Sequence, residues 1–286
     1  MNNRFESFEQ AKENGIKYSL LVGLRQPMHQ AHLKTIAKNM ESGLIPIIVI
    51  GSSNTAIKQD SSDDGLFDPI RNPLTPEQQR EQIKRVFPDK VEGKDYVITE
   101  FPDLGNNELW CRGLVEKLHG EVEIKGKHTE LTGKTMFHFI GKPEDAVSLG
   151  EGGEKFEYAW EKIFDELKFP ALVDTPHADV DINLSATKLR GLDLNNLSAT
   201  DRALFADADY IIELANKARA ENPSKDALNS AKTPVTLLDL SLQRLEREKH
   251  ISTAQIISAL SDAPLTLSNL KDKAIELSKG TKTKET

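Results

Sequence analysis

The sequence predicts an α/β fold: a doubly wound parallel sheet over residues 1–191, with a helical C-terminal appendage over 192–286. Three observations lead there. From Tyr18 to Val173 short apolar runs alternate with stretches of helical spacing, the pattern of βα units. The run Ile45–Ile50 is apolar without alternation, as expected of a parallel strand covered on both faces. Beyond Gly191 no strand-like run remains and helical periodicity takes over.

Each element follows from local chemistry. Phe5, Phe8 and Ala11 predict a short first helix ended by Asn14-Gly15. Strands Tyr18–Val22 and Ile45–Ile50 flank a helix over His32–Met40, forming one βαβ unit. A polar loop from Gly51 to Asn72 follows, long enough to be functional. Thr75-Pro76-Glu77-Gln78 supplies an N-cap, a proline at the first helical position and a capping-box partner, starting a helix to about Phe87. Strand Tyr96–Glu100, helix Glu108–Leu118, strands Val122–Ile124 and Met136–Ile140, helix Phe156–Leu167 and strand Ala171–Val173 continue the alternation. The appendage reads as helices Arg202–Ala220, Val235–Glu248 (capped by Thr233-Pro234), Ser252–Leu260 and Leu267–Leu277, ending in a frayed Lys- and Thr-rich tail.

Composition excludes several classes. With 37 Lys and Arg against 45 Asp and Glu, the formal net charge of -8 opposes attraction to nucleic acid or an anionic membrane surface. The one cysteine, Cys111, rules out an internal disulfide and a cysteine-only zinc site, in agreement with a reducing, cytoplasmic setting. No apolar run approaches the roughly 20 residues that span a bilayer, and the N-terminus lacks a signal-peptide layout.

Two stretches, separated by about half the chain, carry the chemistry. Gly23-Leu24-Arg25-Gln26-Pro27-Met28-His29-Gln30-Ala31-His32 joins a strand to a helix, whose N-terminus offers unpaired N–H groups and a positive dipole end to an anion. Leu184-Ser185-Ala186-Thr187-Lys188-Leu189-Arg190 opens a second helix, where hydroxyls cap or meet a phosphate and a guanidinium clamps one bidentately. They read as two halves of one phosphate site. When one phosphate attacks the α-phosphorus of a nucleoside triphosphate, the nucleophile is already anionic and pyrophosphate leaves readily. The protein then has to align two repelling anions and neutralise developing charge. Taken singly, each motif has a plainer reading. His-x-x-His is common as capping or packing histidines, or a metal pair lacking a third ligand; Ser-Ala-Thr-x-x-Arg as a capped helix start; Trp110 as core.

Together these residues resemble the nucleotidyltransferase superfamily, with its His-x-Gly-His and Ile-Ser-Ser/Gly-Thr-x-x-Arg signatures. Gln26-Pro27-Met28-His29-Gln30-Ala31-His32, Gly51-Ser52, Asn72-Pro73-Leu74-Thr75, Pro102-Asp103, Asn107-Glu108-Leu109-Trp110 and Gly141-Lys142-Pro143 follow the order of the archaeal-type nicotinamide-nucleotide adenylyltransferases. The resemblance covers about Tyr18 to Gly191 and leaves the last third unassigned. It implies a Rossmann-like domain that joins ATP and nicotinamide or nicotinate mononucleotide into NAD, or its deamido form, and pyrophosphate. Magnesium would enter with ATP rather than through a dedicated set of protein ligands. It further implies His29, His32 and Arg190 as catalytic residues. Gly23, Leu24, Arg25, Gln26, Gly141, Lys142, Ser185 and Thr187 join them around ATP, while Asp103, Asn107 and a stacking Trp110 surround the nicotinamide substrate.

Departures keep alternatives open. Leu24 and Arg25 stand where that family has arginine and an aromatic, which moves a charge by one position, and Ala31 adds a methyl between the histidines. Ala186 takes a Gly or Ser position. The family's helix arginine falls on Gln79, with Arg80 rotated by about 100°. A related enzyme using phosphopantetheine or an alcohol phosphate is the runner-up, disfavoured by Asn107-Glu108-Leu109-Trp110, and a nucleotide-binding module without turnover is the other. The apolar faces of the last third fit a homo-oligomer interface, a cover for the site or a docking face for another protein.

Overall fold

A computed structural model describes residues 4–5, 7–22, 26–51, 73–102, 107–119, 121–124, 127–130, 135–138, 171–172, 189–221 and 234–249. Its main sheet contains β1 (Arg4–Phe5), β2 (Tyr18–Leu21), β3 (Ile45–Ile50), β4 (Val97–Glu100), β7 (Thr135–His138) and β8 (Ala171–Leu172), in the order β1-β8-β7-β2-β3-β4 with every pairing parallel. Strand order runs outward in opposite directions from β2 and β7. Their boundary is therefore the topological switch point, where ligands bind at the carboxyl ends of the strands in such sheets.

The strands are where burial demands them. All four residues of β2 are buried, as are the last five of β3. Pro46 sits inside β3 without breaking the ladder, for a geometric reason. Ile45 N–H points to Lys17 O on the β2 side, so the following position faces β4, and the β4 pairing begins only at Ile47 with Val97.

Among the described residues the helices are α1 (Phe8–Glu13), α2 (Gln30–Glu41), α3 (Pro76–Val86), α4 (Asn107–His119), α5 (Ala199–Arg202), α6 (Ala208–Glu221) and α7 (Leu237–Lys249), with a 3₁₀ turn at Leu194–Asn196. The α3 start is as expected: Thr75 accepts from Gln78 N at 3.2 Å and the Gln78 side chain accepts from Thr75 N at 2.9 Å. α1 starts later than Phe5 because Ser7 caps it through Gln10 N, leaving Arg4–Phe5 free to pair with β8. It ends at Asn14, followed by Gly15 at a φ of +85°, a backbone conformation suited to glycine.

Three expectations are corrected. Val122–Ile124 is a strand but lies outside the main sheet: β5 (Glu121–Ile124) pairs antiparallel with β6 (Lys127–Glu130) in a separate two-stranded sheet. The helix expected over Arg202–Ala220 is two helices. α5 stops at Arg202 and α6 starts at Ala208, where Asp207 accepts from Tyr210 N at 3.0 Å. α7 begins at Leu237 rather than Val235, because the Val235 carbonyl accepts from Leu194 N and Thr236 N–H donates to Asp239 at 2.8 Å. The loop over 52–72 and the helices expected at Phe156–Leu167, Ser252–Leu260 and Leu267–Leu277 lie outside the described residues.

Besides a small cluster of Phe5, Phe8, Ala11, Ile16 and Leu44, two larger apolar clusters organise the described residues. Leu21, Met28, Ile36, Ile48, Ile83 and Tyr96 join α2 and α3 to one face of the sheet. Leu74, Leu189, Leu194, Phe205, Ile211 and Leu240 form a second cluster, so residues on both sides of Gly191 share one core. α6 and α7 are further joined by Arg219 and Asp239, nearly buried and 2.8 Å apart. Asp207 binds Arg85 at 2.7 Å and Tyr210 lies under the same guanidinium, which fixes the start of α6 on α3. No helix among the described residues is long and apolar enough to cross a membrane.

Candidate functional site

The turn after β2 lies at the carboxyl edge of the sheet beside the switch point. From residue 26 onward it is held from several sides. Gln26 is fully buried; its side-chain oxygen accepts from Leu74 N at 2.9 Å and its backbone oxygen accepts from Arg190 Nη1 at 2.8 Å. The last residue of the second motif thus meets the first. Arg190 is itself buried, and its neighbour Leu189 is anchored in the second cluster. A buried guanidinium is costly unless its donors are used, so this bond fixes both partners.

His29 is the N-cap of α2, with an extended backbone, and His32 lies in the first turn. The helix therefore starts at Gln30, two residues before the expected His32. The imidazoles stack with centroids 3.8 Å apart and planes 20° from parallel. Backbone N–H of His29 donates to His32 Nδ1 at 3.4 Å, which leaves the His32 proton on Nε2 as a donor. His29 is only 6 % exposed, and its Nδ1 has no hydrogen-bond partner among the described residues. Burial pulls its pKa down from 6.5 to about 4, so the ring is neutral at pH 7. Capping and a placed imidazole donor are thus combined in the same two residues.

One expectation about this helix end needs revision. Its N–H groups are not all open to an anion: Gln30 N donates to Leu204 O at 3.0 Å, and the N-cap N–H goes to His32 as described.

Trp110, near the start of α4, lies at the same sheet edge. Its indole meets Phe101 edge-on at 5.5 Å, and a β-carbon on Gly51 would sit 4.0 Å from its Cζ2. Gly51 and Phe101 directly follow β3 and β4, so this half-buried ring lies over the carboxyl ends of both strands. Asn107 opens α4. Gly23, Leu24, Arg25, Asp103, Gly141, Lys142, Ser185 and Thr187 lie outside the described residues. The charge shift along α3 has a clear outcome: Gln79 is buried, while Arg80 pairs with Glu92 and with Glu100, the latter at 3.1 Å. Arg80 is therefore neutralised locally.

Sequence reasoning missed several supports of the turn. Met28 N donates to Gln82 at 3.4 Å, and Arg244 of α7, buried, donates to Leu74 O at 2.8 Å. Gln82 and Arg244 lie in helices whose periodicity marks them only as inward-facing, with no signal of their targets. No group of three or more His, Cys, Asp or Glu that could hold a metal occurs among the described residues.

No protein-family model matches the chain, and no curated protein matches it in sequence. Among solved structures it is similar to a bifunctional NMN adenylyltransferase/ADP ribose pyrophosphatase from Francisella tularensis. There the identity is 16 %, the match covers 87 % of this chain and 58 % of that one, and the TM-score is 0.48. The same Francisella enzyme complexed with AMP and a manganese ion matches at 16 % identity, over 87 % of this chain and 57 % of that one, with a TM-score of 0.44. The NadR protein in complex with NAD and AMP-PNP matches at 13 % identity, over 95 % of this chain and 79 % of that one, with a TM-score of 0.39. The chain therefore spans little more than half the length of the Francisella enzyme.

Proposed function

We propose that the protein is an adenylyltransferase of the nucleotidyltransferase superfamily, close in its motifs to the archaeal type. It would transfer AMP from ATP to nicotinamide mononucleotide or nicotinate mononucleotide, giving NAD or its deamido form. The observation that supports this reading is the bond to the Gln26 carbonyl from Arg190, the last residue of the second motif, on the turn that bears the stacked histidines. In the proposed step an oxygen of the acceptor phosphate attacks the α-phosphorus of ATP, the bond to the bridging oxygen breaks, and pyrophosphate leaves; magnesium bound to ATP would supply charge neutralisation on the phosphates. His32 Nε2–H, oriented by the use of Nδ1, donates to phosphate oxygens. Neutral His29 stacks against it, and the Arg190 charge lies beneath the turn. Such donors act by stabilising charge that grows in the transition state.

The test is direct. Protein supplied with ATP, magnesium and nicotinamide mononucleotide should release pyrophosphate and form NAD in equal amounts; absence of product at high protein concentration rejects the enzyme. The use of Gln30 N–H on Leu204 favours a second reading, a nucleotide-binding module without turnover. Calorimetric binding of ATP or NAD without product selects it.

Within the enzyme reading, Trp110→Ala raises KM for the mononucleotide by about tenfold, the scale of one lost base–aromatic stack, and changes that for ATP less. Steady-state kinetics with each substrate varied separately decides this; equal rises in both constants mark the indole as a packing residue only.

A further inference from the structure

The histidine turn hangs from a single apolar cluster at three points. Leu74 belongs to that cluster and its N–H holds the Gln26 side chain; Leu189 belongs to it and leads into Arg190, which holds the Gln26 carbonyl. Phe205, 2 % exposed, belongs to it as well. Around Phe205 the backbone runs antiparallel to the turn: Gln30 N donates to Leu204 O at 3.0 Å, Ala206 N donates to Met28 O at 3.1 Å, and His29 faces Phe205. The Gln30 side-chain amide closes the set, donating to Phe205 O at 2.9 Å. His29 thus has a paired residue on each side of it, and its ring direction follows from a backbone fixed by a remote segment.

We infer that Leu204–Ala206 is the positioning element of the histidine pair and that Gln30 is the positioning side chain that fastens it. This assigns a role to the start of the helical third: it sets the angle at which the imidazoles meet the ligand. The break between α5 and α6 fits that role. The Leu204 and Phe205 amides still close turns on Asp201 and Arg202, but the break frees the Leu204 and Phe205 carbonyls and the Ala206 amide, which a continuous helix would use internally, to pair with residues 28 and 30. Gln30 is suited to the task because it is the first helical residue, with a backbone N–H that lacks an intrahelical acceptor and a side chain long enough to reach the next carbonyl along.

The inference rests on the adenylyltransferase reading for its kinetic consequence but not for its geometry, and the experiment separates the two. Q30E keeps the side-chain length and replaces the donor by an acceptor facing the Phe205 carbonyl; Q30K keeps a donor. Imidazole ¹H–¹³C spectra of uncleaved full-length protein, assigned with His29→Gln and His32→Gln, read ring placement directly, since stacked rings shift one another's resonances. Q30E should displace the resonances of both histidines, and Q30K should return them toward wild type. With ATP and nicotinamide mononucleotide, Q30E should lower kcat about tenfold with KM for ATP within about twofold, the signature of misplaced rather than missing groups. Unmoved resonances in Q30E, or equal displacement in Q30K, overturn the inference whatever the kinetics. Displaced resonances in a protein whose wild type makes no product leave the positioning intact and reject only the assigned reaction.

Discussion

Replacing His32 by alanine lowers turnover by about 10²-fold in the proposed reaction, the loss that follows removal of one fixed donor to developing phosphate charge. The magnitude rests on preorganisation. Nδ1 is committed to His29 N–H, so the Nε2 proton needs no reorientation during reaction, and the ring sits where the helix dipole adds to its effect. His29→Ala costs turnover on the same scale, because it removes the ring against which His32 stacks. Loss of stability does not explain such an effect: deleting the acceptor for one N-cap N–H costs about 1 kcal/mol. Denaturant titration of each variant beside its kcat separates the two contributions. A folded His32→Ala protein with wild-type turnover rejects the role given to this residue.

The second large effect is on stability. His29 binds a proton less tightly in the folded protein than in the unfolded chain, its pKa falling from 6.5 to about 4 through burial. Stability owed to the neutral ring is therefore complete above pH 6.5 and is lost as the pH falls toward 4. Its full extent is about 3 kcal/mol, at 1.36 kcal/mol per unit. Chemical denaturation at pH 7, 5.5 and 4 should show wild type losing more stability than His29→Gln, whose side chain does not titrate. Parallel losses in both proteins place the acid sensitivity elsewhere.

Legibility in the sequence followed physical rules. β2, β3 and β4 were readable because buried parallel strands are bounded apolar runs, and α3 because Thr75, Pro76 and Gln78 state its start in side-chain chemistry. β1 has two residues, and β6 reads Lys-His-Thr-Glu; neither carries a periodic signal. The break between α5 and α6 was hidden for another reason. Leu204, Ile211 and Ala215 keep helical spacing across it, and what interrupts the helix is pairing with Met28 and Gln30, far away in sequence.

The candidate site divides the same way. His29, His32 and Arg190 could be joined from their motifs because their side chains have chemistry that suggests a common ligand. The carbonyls of Leu204, Phe205 and Leu74 have no such signature, since any residue supplies one; only the fold says which carbonyl faces the turn. Arg244 illustrates the limit, an ordinary inward-facing helix residue until its target on Leu74 is seen.

The contact between Arg219 and Asp239 has one more consequence. With the carboxylate only 3 % exposed, separating α6 from α7 strands an ion in apolar surroundings. Intermediate degrees of parting are therefore unfavourable, and the two helices fluctuate as a single cooperative unit.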